Sequence, residues 1–107
     1  MRGDIWQPTA TTPTGLAAWL ELSADALADA PTVTVAAITT EPVEGLGWPM
    51  AIAIPAELLD RRAWIRTTHI HTIVRADLGQ RVGRASTAEI GRIGDAVRRV
   101  LELADYT

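Results

Sequence analysis

Ser86-Thr87-Ala88-Glu89 has the form of a capping box: the Ser86 hydroxyl can accept the Glu89 amide proton while the Glu89 carboxylate reaches back to the Ser86 amide. Behind it, Ile90, Ile93, Val97, Val100 and Leu101 recur at three- and four-residue spacing. Arg92, Asp95, Arg98, Arg99 and Glu102 fall between them, so the segment to Leu103 reads as a helix with one apolar stripe. Such a helix gains its stability mainly by burying that stripe, so the rest of the chain has to supply the surface beneath it. Directly upstream, Gly79-Gln80-Arg81-Val82-Gly83-Arg84 alternates like a short strand entered and left at glycines.

The remainder is built from short apolar runs. Ile5-Trp6 reads as a first strand ended by Gln7-Pro8, and the small, polar, proline-broken Thr9 to Gly15 as a loop. Leu16 to Leu22 fits a strand or, by propensity, a helix. Ser23 to Leu27 suits one helical turn with Ser23 as its N-cap, stopped at Pro31. Thr32 to Thr39 is β-branched and alternating, as a strand through the core would be. Glu41 to Pro49 is a loop or hairpin tip, Met50 to Ile54 a strand, and Pro55 to Asp60 a helical turn opened by proline. A further strand covers Trp64 to Thr68 and continues or restarts through His69 to Ile73. Many short strands, a few turns and one terminal helix predict an α+β, mainly β fold: a small, SH3-like β-barrel with a C-terminal amphipathic helix, forming one domain over residues 1–107.

With no cysteine the chain holds neither disulfides nor thiolate metal sites. No apolar run approaches the ~20 residues of a bilayer span, and the N-terminus lacks the build of a signal peptide, so the expectation is a soluble, cytoplasmic protein. The net charge of −3 hides an asymmetry: up to Asp60 the only basic residue is Arg2 against eight acids, whereas from Arg61 onward nine arginines face five acids. Arginine offers a planar fork suited to phosphate. The second half can therefore supply an RNA-facing surface, or its helical arginines can simply pair with Asp95 and Glu102 on a wet face.

The run D-L-G-Q-R-V-G-R-A-S from Asp77 to Ser86, the amphipathic helix after it, the strand from Trp64 to Ile73 and the opening Arg2-Gly3-Asp4-Ile5-Trp6 together resemble the MazF/PemK/Kid toxins of type II toxin–antitoxin systems. The resemblance settles Leu16 to Leu22 as a strand, since Trp19-Leu20-Glu21-Leu22-Ser23 looks like the end of a family strand. It also implies an activity, cleavage of single-stranded RNA by attack of a 2′-hydroxyl on its own phosphate without a metal or other cofactor. The implied partners are a homodimeric second copy and a small MazE-like antitoxin.

Carried over residue by residue, the resemblance puts the family threonine at Thr39 and a family arginine at Arg66. The arginine of the family's R-P-V strand falls at Ala17, or within a residue of it, and is missing; the acidic residue two positions beyond Arg66 is Thr68. The catalytic set is then Arg66, Thr39 and His69. His69 or His71 would stand in for the absent base, because an imidazole titrates near pH 6.5. Thr40, Thr68, His71 and Trp48 would line the RNA groove. Two further readings stay open. One is a catalytically degenerate homodimer that only binds an antitoxin or other partner, with Arg66 a surface arginine and the histidines satisfied polar groups. The other is a gyrase-directed toxin of the CcdB type, which resembles less well because those proteins end in W-G-I and this chain ends in Leu103-Ala104-Asp105-Tyr106-Thr107. His69 and His71 share a strand face, but two ligands without a placed carboxylate fall short of a zinc site.

Overall fold

A computed structural model describes residues 1–9, 16–27, 29–40, 47–54 and 62–104. Six strands form one antiparallel sheet: β1 (Asp4–Pro8), β2 (Leu16–Glu21), β3 (Thr32–Thr39), β4 (Ala51–Ile54), β5 (Ala63–Val74) and β6 (Leu78–Arg84), in the order β4-β5-β3-β2-β1-β6. A single helix, α1 (Thr87–Ala104), ends the described chain. The expected mainly-β fold with a terminal helix is present. The sheet, however, stops at β4 and β6 with no ladder joining them among the described residues, so the barrel is an open one. The turn expected over Pro55 to Asp60 lies outside the described residues.

One face of the sheet carries the core. Ile5, Leu20, Ile38 and Ile65, nearly inaccessible, meet Ile93 and Ala96 of α1. The helix starts where the sequence places it: the Ser86 amide donates to Glu89 Oε1 at 2.9 Å and the Glu89 amide to Ser86 Oγ at 3.1 Å. The stripe is rotated slightly from the expected one. Ala96 is buried, whereas Leu101 is 57% exposed and lines an open apolar groove with Leu22, Ile70 and Val97. Gly3, at φ +93°, lets β1 begin directly under α1; a Cβ there would stand 2.5 Å from Ile90 Cδ1.

One local expectation changes, and one open alternative is decided. Ser23 does not cap the 3-10 turn at Asp25–Leu27; its Oγ instead accepts the Thr34 amide at 2.8 Å, tying the exit of β2 to β3. The stretch from Ala63 to Val74 is one strand, but pairing with β3 jumps from Ala37↔Arg66 to Ala36↔Ile70, so Thr67, Thr68 and His69 form a bulge. Thr67 is buried there, with its amide donating to the Met50 carbonyl at 3.2 Å and its hydroxyl to the Pro49 carbonyl.

Candidate functional site

Side chains opposite one another in a ladder share a face, so the register decides which of the polar residues meet. Arg66 lies between Ala37 of β3 and Ala51 of β4, on the face turned away from α1, since its neighbour Ile65 is in the core. Both alanines are buried, which fits an arginine stem lying over them. Thr39 pairs with Trp64, the next position on that face of β5, and is thus a diagonal neighbour of Arg66, a relation in which Cα atoms lie roughly 7–8 Å apart. His71 pairs with Val35 on the same face, and its ring meets Trp19 edge-on, with centroids 5.6 Å apart. The sheet therefore places Arg66, Thr39 and His71 on one face.

Thr39 Oγ1 and Arg66 Nε are buried and have no hydrogen-bond partner among the described residues; Asp4 Oδ1 is the only other such atom found there. Buried polar groups are nearly always satisfied, so two such atoms on neighbouring positions make this the candidate site among the described residues. The bulge delivers the third candidate: His69 lies at the surface, and partial desolvation of its ring, with the Arg66 guanidinium and His71, holds its imidazole below the ordinary value of 6.5. Thr68 beside it is exposed, and Thr40 is half-buried just past the end of β3.

Trp48 is the exception. It lies on the helix side of the sheet, with the Arg99 guanidinium carbon 5.4 Å from its ring centroid, and with Asp95, Arg98 and Glu102 it lines a surface cavity of about 310 Å³. Its place in the expected groove with Arg66 is therefore not found. Strand periodicity says nothing about a residue in a proline-rich connection, which is why the sequence misplaced it. Missed residues are Trp19 and Trp64. Trp19 sits between the core residues Ala18 and Leu20, so period-two alternation could have placed it on the Arg66 face. Trp64 stands beside Thr39 with the Arg62 guanidinium carbon 5.5 Å from its ring centroid. Among the described residues no three His, Asp or Glu side chains converge as a metal site would need.

Residues 1–101 match the model of the family described as PemK-like, MazF-like toxin of type II toxin-antitoxin system. The chain belongs to that family. The toxin is similar to an endoribonuclease from a mycobacterial species, solved in complex with its cognate antitoxin, at 22% identity and a TM-score of 0.78 over 96% of this chain and 95% of that one. It is also similar to the Mycobacterium tuberculosis toxin MazF-mt6, at 22% identity and a TM-score of 0.77, over 92% of this chain and 96% of the other. A third likeness is to the MazE-MazF structure from Deinococcus radiodurans, at 15% identity and a TM-score of 0.70, covering 94% of each chain. At these identities the likeness is one of fold. Comparison with curated protein sequences finds no significant match. Ala17, where the resemblance puts the missing arginine, is the extra residue at the ladder shift between Leu16↔Thr39 and Ala18↔Ile38, beside Thr39 and partly buried against the core.

Proposed function

We propose that this protein is the endoribonuclease of a type II toxin–antitoxin pair, cutting single-stranded RNA on the sheet face turned away from α1. It acts in the cytoplasm as one toxin domain spanning residues 1–107, paired with a second copy and restrained by a cognate antitoxin. Besides family membership, the observation that carries the reading is the pair of orphaned polar atoms, Thr39 Oγ1 and Arg66 Nε, on adjacent positions of that face. A phosphate set against them receives a hydroxyl and a guanidinium, the latter worth most where negative charge builds up on the phosphorane.

His69, held below its ordinary pKa beside Arg66, is largely neutral at pH 7 and suits the role of general base. It takes the proton of the 2′-hydroxyl as the 2′-oxygen bonds to phosphorus. The bond from phosphorus to the 5′-oxygen breaks, that oxygen takes a proton from water, and a 2′,3′-cyclic phosphate is left. Nothing in the comparisons favours the reading of a catalytically degenerate binding protein. Ala17 removes one cation from the set, so the remaining one matters more: Arg66→Ala should lower the single-turnover cleavage rate by about a hundred- to thousandfold. The check is a long mixed-sequence RNA with purified protein, read by gel and by the cyclic-phosphate end. Robust cleavage that survives Arg66→Ala together with His69→Ala would place the reaction elsewhere.

A further inference from the structure

The ladders connect Arg66 to a row that the cleavage chemistry does not use. Arg66 faces Ala37, Ala37 faces Trp19, Trp19 faces Trp6, and Trp6 faces Arg81, so one rung crosses β5, β3, β2, β1 and β6 with an arginine at each end and two indoles between. Four strand spacings of ~4.8 Å make the contour between the two arginine positions at most roughly 19 Å, the reach of a few nucleotides. Both indoles are half-buried.

The Arg81 end of the rung is built, not incidental. Asp4, 5% exposed, and Glu21, 1% exposed, are carboxylates on this face. Arg81 and Arg84 stand 3.6 and 3.5 Å from Asp4 Oδ1, while Glu21 accepts the Trp6 indole N–H at 3.1 Å and lies 3.6 Å from Arg75. Asp4 Oδ1 stands beside both arginines, while its Oδ2 takes the N-terminal ammonium at 2.9 Å. Asp4 Oδ1 makes no hydrogen bond to either guanidinium, and the Arg81 and Arg84 side chains remain 54% and 39% exposed. A charged fork held in place, followed by aromatic faces in line with a second fork, is how a protein tracks a single strand: phosphates on the arginines, bases on the rings. An acidic peptide would use the arginines but gain little from the indoles.

We infer that Arg81 and Arg84 form a second phosphate subsite for single-stranded RNA, with flanking bases stacked on Trp19 and Trp6. The inference rests on the proposed RNA-cleaving function and extends it to substrate several nucleotides from the scissile bond. The probe is a mixed-sequence 2′-deoxy 12-mer, which lacks the attacking hydroxyl, titrated by tryptophan quenching at a series of salt concentrations. Arg81→Gln and Arg84→Gln should each weaken binding severalfold and reduce the slope of log affinity against log salt by about 0.7, the value for one phosphate contact on a single strand. Arg81→Lys should keep the slope. In cleavage, the Gln variants should raise KM with kcat little changed. Thermal melts identify any Gln variant that has unfolded, and Arg81→Lys against Arg81→Gln then decides by charge alone.

A wild-type protein that binds the 12-mer and loses it on Arg66→Ala, yet keeps affinity and slope in both Gln variants, would overturn the subsite and leave the proposed function standing. Tight binding of an acidic peptide that needs Arg81, with no such effect on the 12-mer, would overturn it in favour of a protein partner. A wild-type protein that binds no single strand removes both readings.

Discussion

Three side chains carry the proposed chemistry, and each reaches its place for a different reason. Arg66 is carried by strand pairing between two alanines, Thr39 by the end of the central strand, and His69 by a bulge that no pattern in the sequence announces. His69 also has a measurable consequence. Its folded pKa lies below the unfolded value near 6.5, so below that pH the unfolded chain binds more protons than the folded one. The stability that neutral His69 contributes is therefore fully present above pH 6.5 and is lost as pH falls through the folded pKa. Melts at pH 7.5 and 5.5 should show a larger loss in wild type than in His69→Gln, and an equal loss would mean that the imidazole is not perturbed. The same group as base predicts a cleavage rate whose acid limb has its midpoint below 6.5 and vanishes in His69→Gln.

Among the elements, α1 is the most fully specified by local sequence. Its capping box closes as read, with both reciprocal bonds formed. Ser86→Ala should cost about 1 kcal/mol, a fall in Tm of roughly 4–8 °C for a domain of this size; an unchanged melt would show that the cap contributes nothing. Strand β5 behaves differently. Its alternation is legible on both sides of the bulge, but the three residues left over between Arg66 and Ile70 follow from how β3 and the Pro49–Met50 segment dock against it. Ser23 shows the same limit, since a hydroxyl suited to a cap is taken by a strand amide instead.

Over the whole molecule, the sheet order resolves the charge asymmetry of the chain. β1 lies beside β6, and β2 lies one strand from β5, so Asp4 meets Arg81 and Arg84, and Glu21 meets Arg75, pairs separated by more than fifty residues in sequence. Both carboxylates also share the N-terminal ammonium, at 2.9 Å from Asp4 and 3.2 Å from Glu21, so the loss of one arginine leaves each buried charge a partner. The proposed homodimer belongs to this scale as well, because a core of this size gains from further apolar burial. Sedimentation at tens of micromolar protein, an order-of-magnitude concentration at which an obligate pair stays assembled, should give twice the chain mass, and a monomer there would count against the proposal.

What the sequence determined by itself is what depends on neighbours along the chain. The helix and its cap, the alternation of β3, the mainly-β class with a terminal helix, and the family were all legible at that level, as were Arg66 and Thr39 as candidates. The tertiary structure alone decided what depends on register. It put Arg66 and Thr39 on one face with unsatisfied atoms, moved Trp48 to the helix side under Arg99, exposed Leu101, and aligned Trp6 and Trp19 with arginines from β5 and β6. Local patterns say which face of its own strand a residue occupies; which residues it meets there is settled by how five ladders align, and a one-residue slip in any of them would change every partner on that face.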